Sequence, residues 1–304
     1  MSLTVTEIDS QPQIWRRALT ELSLRAAELL RLDGQRVLVI GCGTSAFVSE
    51  SLAALREGAG LGETDAAYAS EPYPWRDYDA VIAITRSGTT TEVINALRGL
   101  PDGVRVIAVT GVADSPVAEL ADEVLVLDFA DEESVVQTRF PTTVLLLARA
   151  AFGEDVSRLP DAADLALADG AEFSATTGRS LADSTHFVYL GSGWTYGLAQ
   201  EAALKIREAA QAWAESYPLL DYRHGPLAVA DQRSLVWIIG GTGAEEVEQS
   251  LVDDIRSVGA TVVTGSADPL VELVKAQRLA VAVAERRGLD PDVPRHLTRS
   301  IVLS

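Results

Sequence analysis

Three short segments of this sequence carry residue types that could do chemistry. Thr85-Arg86-Ser87-Gly88-Thr89-Thr90 gathers hydroxyls at 85, 87, 89 and 90 around a glycine that lets the backbone approach a ligand closely. Placed ahead of a helix, that set is suited to hold a phosphate. A plainer reading stands beside it: Thr89 with Glu92 three residues later is a capping box, and such clusters often only cap helices. A second glycine-rich turn, Gly41-Cys42-Gly43-Thr44-Ser45, follows another apolar run. The first loop is not a Walker A sequence, and neither loop matches the GxGxxG dinucleotide fingerprint.

The second segment is Glu201-Ala202-Ala203-Leu204-Lys205-Ile206-Arg207-Glu208. Spacings of i+4 and i+3 put Glu201, Lys205 and Glu208 on one helix face. They read either as a carboxylate base with an ammonium tuning its pKa, or as a surface ion pair worth about 0.2–0.5 kcal/mol. The third is Tyr222-Arg223-His224-Gly225-Pro226, a predicted loop. A histidine titrates near neutrality and is the commonest acid/base residue, although a lone loop histidine is often incidental. No pair among His186, His224 and His296 has metal-ligand spacing, so a zinc site is not expected; no cofactor is expected either.

These residues sit in a strongly acidic chain. The formal net charge of −19 over 304 residues argues against a general nucleic-acid or anionic-membrane binder. A phosphate held by such a protein needs backbone N–H groups, hydroxyls, a helix N-terminus and a few placed cations. Lysine occurs only at Lys205 and Lys275. The single cysteine, Cys42, excludes an intramolecular disulfide framework. Apolar runs such as Val144 to Ala148 fall far short of the ~20 residues that span a bilayer, and Met1 to Glu7 shows no signal-peptide pattern. The expected compartment is the cytoplasm.

The elements that must position the candidates follow from apolar patterning. Ile14, Ala18, Leu22 and Leu29 predict a helix from Gln11 to Leu32. Arg36–Gly41, Asp79–Thr85, Val104–Thr110 and Val124–Leu127 read as strands, separated by helix-compatible sequence such as Thr91 to Gly99. The pattern restarts with strands predicted at Thr185–Gly191, Ser234–Gly240, Ala260–Thr264 and Leu279–Ala284. Phe152 to Gly178 between the halves reads as a helix with connecting loops. The expectation is an α/β fold of two similar subdomains, each a mostly parallel sheet flanked by helices, over 1–168 and 169–304. Val39-Ile40-Gly41-Cys42-Gly43-Thr44 and Tyr189-Leu190-Gly191-Ser192-Gly193-Trp194 open the halves as a weak internal repeat.

None of the three segments decides a function alone, but their order is specific. Cys42-Gly43-Thr44-Ser45, then Ser87-Gly88-Thr89-Thr90, then Glu201, Lys205 and Glu208, then His224-Gly225-Pro226-Leu227-Ala228 resembles the sugar isomerase (SIS) domain family. The likeness is greatest to the isomerase half of glucosamine-6-phosphate synthase and to stand-alone amino-sugar-phosphate deaminases and isomerases. It covers nearly the whole chain, from Glu7-Ile8-x-x-Gln11-Pro12 to Pro294-Arg295-His296-Leu297-Thr298-Arg299-Ser300.

The resemblance implies two SIS-type subdomains and a phosphorylated, amino-bearing sugar as ligand. It implies phosphate and substrate contacts from Gly43, Thr44, Ser45, Thr85, Arg86, Ser87 and Thr90, with Glu201 and Arg299 in the same site. Ser134 to Thr138, including Val135, resembles the stretch whose backbone lines the sugar. Glu208 would move the proton between C1 and C2, His224 would assist ring opening from the partner subunit of a homodimer, and Lys205 would organise the site. The implied activity is amino-sugar-6-phosphate deaminase/isomerase, through an enolamine, giving ammonia and a ketose phosphate. An aldose–ketose isomerase and a fructosamine-phosphate deglycase are alternatives, and a non-catalytic sugar-phosphate sensor is an alternative of another class.

Two departures bear on the choice. No glutamine-hydrolysing domain precedes the sheet in this sequence, so glutamine-dependent synthesis is not expected. Arg86 stands where the synthase carries glutamine; it resembles the deaminase type and offers a permanent cation beside the phosphate. Arg299 stands where the synthase has lysine, and a guanidinium forms no Schiff base at neutral pH.

Overall fold

The structure is a computed structural model that describes residues 2–168 and 180–303. The chain divides into two compact units of interleaved segments. The first is Ser10–Pro160 with Leu297–Ser304, and the second is Met1–Asp9 with Asp161–His296.

In the first unit, β1 (Val37–Gly41), β2 (Thr64–Tyr68), β3 (Ala80–Ile84), β4 (Arg105–Thr110) and β5 (Glu123–Val126) form a parallel sheet in the order β2-β1-β3-β4-β5. Every residue of β1 and β3 is buried, which explains their uninterrupted apolar runs. Helices α2 (Thr44–Gly58), α3 (Thr91–Arg98), α4 (Pro116–Glu119) and α5 (Arg139–Ala151) follow β1, β3, β4 and β5. One core joins Leu38, Ile40, Val81, Ala83, Val106 and Ala108 of the strands to Val93, Leu97 and Val117 of α3 and α4. The strand order reverses between β1 and β3, so the loops leaving their carboxyl ends lead to helices on opposite sides, the kind of position where open parallel sheets bind ligands. Those are the two glycine-rich loops singled out above.

The second unit repeats the topology. Here β6 (His186–Gly191), β7 (Trp213–Pro218), β8 (Ser234–Ile238) and β9 (Thr261–Thr264) make a parallel sheet in the order β7-β6-β8-β9. Helix α6 (Leu159–Ala168) precedes it, and α7 (Thr195–Ala210), α8 (Glu245–Ser257) and α9 (Pro269–Arg286) follow β6, β8 and β9. The internal repeat is a matched turn. Gly43 and Gly193 both have φ of 55°, and a Cβ at Gly41 or Gly191 would run into the backbone of Ser45 or Thr195.

Several predicted elements change. Leu279–Ala284 is not a strand but the interior of α9, most of which is buried from Leu270 to Ala284. The stretch Leu279–Ala284 is apolar at every position and so shows no polar stripe to reveal the helical period. Its start is well marked, with Asp268 accepting from Leu270 N at 3.0 Å and Pro269 in the first turn. The edge strands β2 and β7 are additions. Helix α1 (Leu3–Leu30) begins eight residues earlier than the pattern suggests. Its first N–H groups, Leu3 N and Thr4 N, donate to Asp292 at 2.7 and 2.8 Å, a cap supplied from the far end of the sequence. The expected boundary at 168/169, and residues 169–178 of the linking segment, run into positions outside the described residues. Among the described residues, no helix is long and apolar enough to cross a membrane.

Candidate active site

In the first unit, the loop after β3 runs through buried residues. Thr85 is 3% exposed and Ser87 is 8% exposed. The Thr85 hydroxyl accepts from Gly88 N at 3.3 Å, and Ser87 Oγ accepts from Thr89 N at 3.3 Å. Gly88 has φ of 67°, and its missing side chain leaves room for Ser115. The capping box does not form. Thr90, not Thr89, is the N-cap of α3, and it makes no side-chain cap bond. Thr89 Oγ1 instead lies against Ser87 Oγ and Ser300 Oγ, each at 3.1 Å. Hydroxyls that leave the helix end uncapped are poorly explained by capping alone.

Thr44 and Ser45, buried, open α2 at the end of β1, behind Gly43. Cys42, one residue earlier, has its thiol pushed up to about 11 by burial and by the Glu92 carboxylate, with backbone contacts at Ser70 and Ala69 working the other way. A thiol held that high is not a nucleophile at neutral pH.

The segment before α5 is fastened by a residue that local spacing does not flag. Glu132, 1% exposed, accepts from Thr138 Oγ1 at 2.7 Å and from Arg139 N at 2.9 Å. It closes Ser134 to Thr138 into a loop and answers the N–H groups at the start of α5. Helix caps normally lie within three residues of the helix, so a carboxylate seven positions ahead gives no readable signal. Val135 is half-buried in this loop. Arg86, 2% exposed, donates to Ser134 O at 2.7 Å and to Arg299 O at 2.8 Å. Arg299 in turn reaches Glu132 O and Asp131 Oδ2. The fold thus brings together residues 86, 132–135 and 299.

In the second unit, Glu201, Lys205 and Glu208 lie along α7. Lys205 Nζ is 3.1 Å from Glu201 Oε1 and 2.6 Å from Glu208 Oε2. This is no solvated stripe: the side chains of Lys205 and Glu201 are 1% and 2% exposed, and that of Glu208 is 17% exposed. Burial works to lower the Lys205 pKa, but the charges and hydrogen bonds of the two carboxylates outweigh it and hold the ammonium above its ordinary value. His224 ends a 3-10 turn, Leu220–His224, anchored by the fully buried Tyr222. Its side chain is exposed, and no hydrogen bond or ion pair among the described residues joins it to the α7 trio. Gly225, at φ of 137°, turns the chain out of this segment.

Residues 32–152 match the family model described as SIS domain. The chain contains a SIS domain. It holds the turn at Gly43 to Ser45, the loop at Thr85 to Thr90 and Val135, whereas Glu201, Lys205, Glu208, His224 and Arg299 lie beyond the matched residues. Sequence relatives extend over them. The glutamine–fructose-6-phosphate aminotransferase (isomerizing) of Methanothermobacter thermautotrophicus is 30% identical over 338 residues, covering 98% of this chain and 57% of the relative. That of Sulfurisphaera tokodaii is 28% identical over 298 residues, covering 89% and 50%. The chain spans about half the length of the curated relatives it matches.

Among solved structures, the glucosamine-6-phosphate deaminase of Thermotoga maritima superposes with a TM-score of 0.87 at 28% identity, covering 99% of this chain and all of the other. The tagatose-6-phosphate ketose/aldose isomerase of Escherichia coli shares the fold, with a TM-score of 0.79 at 21% identity over 99% and 96% of the two chains.

Proposed function

We propose that this protein is an amino-sugar-6-phosphate deaminase/isomerase built from two SIS-type halves. The observation that carries the reading is the buried trio on α7, in which one carboxylate, Glu208, keeps a face open while Lys205 and Glu201 are sealed. A sugar C2 proton is weakly acidic, so its removal needs a positioned base, and Glu208 supplies it. The open-chain aldose bearing a C2 amine loses the C2 proton to Glu208, takes up a proton at O1 and becomes an enolamine. Return of the C2 proton to C1, with loss of one proton from nitrogen, gives a ketimine, and water then adds at C2 and displaces ammonia, leaving the ketose phosphate. Lys205, held protonated, acts as a fixed positive charge beside this exchange rather than as an amine nucleophile.

Phosphate binding is assigned to the first unit, to the hydroxyls of Thr44, Ser45, Thr85, Ser87 and Thr90 and to the open turn at Gly43. Their location at the strand-order reversal supports this, as does the failure of the α3 hydroxyls to act as caps. His224 assists ring opening; its exposure supports a role toward a second copy of the chain in a homodimer. The acidic surface and lone cysteine support work in the cytoplasm.

Incubating the protein with glucosamine 6-phosphate and galactosamine 6-phosphate, and assaying ammonia and ketose phosphate, tests the reading. Ammonia release from either is the expected result. Ketose formed from a 2-hydroxy aldose 6-phosphate, with no ammonia from either amino sugar, would assign an aldose–ketose isomerase, release of an amino acid from a fructosamine phosphate a deglycase, and binding without turnover a sensor.

A further inference from the structure

Three segments of the first unit meet at one side chain. Arg86 Nη1 donates to Ser134 O at 2.7 Å and, at the limit of hydrogen bonding, to Glu132 O at 3.5 Å. Nη2 donates to Arg299 O at 2.8 Å. The residue's own carbonyl is fixed as well, accepting from Gly111 N at 2.9 Å and Thr110 Oγ1 at 3.3 Å. Residues 299–303 are then laid along the loop after β3. Thr89 Oγ1 meets Ser300 Oγ at 3.1 Å, Thr91 N donates to Ile301 O at 3.1 Å, and Leu303 N donates to Thr91 Oγ1 at 2.9 Å. The loop holding Ser87 and Thr90, the Glu132–Ser134 segment and the 299–303 strap therefore form one closed circuit, and Arg86 touches all three.

We infer that Arg86 is a positioning residue whose contribution is its fork and not a positive charge at the phosphate. The inference rests on reading these loops as the sugar-phosphate site. A guanidinium presents two terminal nitrogens in a fixed plane and so bonds carbonyls of two different segments at once. A lysine keeps the charge but ends in one nitrogen, and cannot bridge Ser134 O and Arg299 O in the same way. Aimed at main-chain carbonyls and 2% exposed, the side chain holds the sugar-lining segment and the strap in register with the phosphate hydroxyls.

The test compares Arg86→Lys and Arg86→Gln in the full chain by three readouts: amide exchange at Thr91 and Leu303, affinity for inorganic phosphate, and kcat and KM for glucosamine 6-phosphate. A fork predicts the same outcome for both variants. Exchange at both amides rises by about tenfold or more as the strap loosens. Turnover falls by about tenfold to a hundredfold through misplacement, while phosphate affinity stays within about threefold. Rescue of turnover and phosphate affinity by lysine, with glutamine weakening phosphate more than about tenfold, would assign a charge role and overturn the inference.

Unchanged exchange in both variants also overturns it. Arg299→Ala, at a side chain 41% exposed, serves where the buried variants fail to fold. It removes the bonds of the Arg299 side chain to Glu132 O and Asp131 Oδ2 and should loosen the same amides, and no loosening sinks the circuit. If the native protein turns over no sugar, the functional reading fails, while exchange and phosphate binding still decide the role of Arg86.

Discussion

Lys205 Nζ lies 2.6 Å from Glu208 Oε2, one helical turn along α7, and the two side chains differ in exposure, 1% against 17%. The pair joins a sealed charge to an open one. With Glu201 on its other side, the ammonium is compensated twice over and stays charged, and Glu208 is the most exposed of the three side chains.

Glu208→Gln keeps the shape of the trio and removes the carboxylate proposed as the base. Turnover of the amino-sugar phosphate should fall by about a hundredfold or more, the usual worth of a positioned general base. Affinity for inorganic phosphate, measured by calorimetry, should be unchanged. Native turnover in this variant would refute the assignment.

Lys205→Met leaves two carboxylates side by side with their shared cation gone. Breaking a buried pair from one side costs about 3–5 kcal/mol, so urea midpoints should drop sharply. The native pair also has a pH signature. The folded pKa of Lys205 is raised, so its stabilisation is fully present below its ordinary value of 10.5 and is lost as pH rises through the higher folded value. Urea titrations at increasing alkalinity should show this decline in the native protein and not in Lys205→Met.

Ser87→Ala should act on binding. Loss of one hydroxyl donor to a charged phosphate, about 1.4 kcal/mol, predicts a KM about tenfold higher with kcat within about twofold. A drop in kcat at constant KM would place Ser87 with the reacting carbons instead.

Cys42 should resist alkylation. With its thiol raised from 9.0 to about 11, the thiolate at neutral pH is about a hundredfold scarcer than in an unperturbed cysteine. Iodoacetamide labelling followed by mass spectrometry checks this, against unfolded protein as the fast reference. Equal rates would contradict the shielded thiol.

The interior strands were legible because burial on both faces writes long apolar runs, as at Val37–Gly41 and Ala80–Ile84. Edge strands write no such run. Thr64–Tyr68 and Trp213–Pro218 mix polar with apolar residues and are only partly buried. The spacing of Glu201, Lys205 and Glu208 is visible in the sequence, but their burial is not. It arises in a unit where α7 packs against α9, and α9 contains the stretch that mimics a strand. Glu132 and the Arg86 contacts escaped for another reason: they link positions far apart in the sequence, where local pattern carries no information.

The first unit takes its last segment from residues 297–304, although its sheet ends at Val126. During synthesis the loop at Thr85 to Thr90 therefore emerges long before Ser300 and Ile301 exist to fasten it. At about 5–20 residues per second, the ribosome needs on the order of ten seconds to deliver them. Until then the nascent half carries this loop unfastened, and the loop proposed to hold the phosphate gains its last contacts only after the intervening half has been translated.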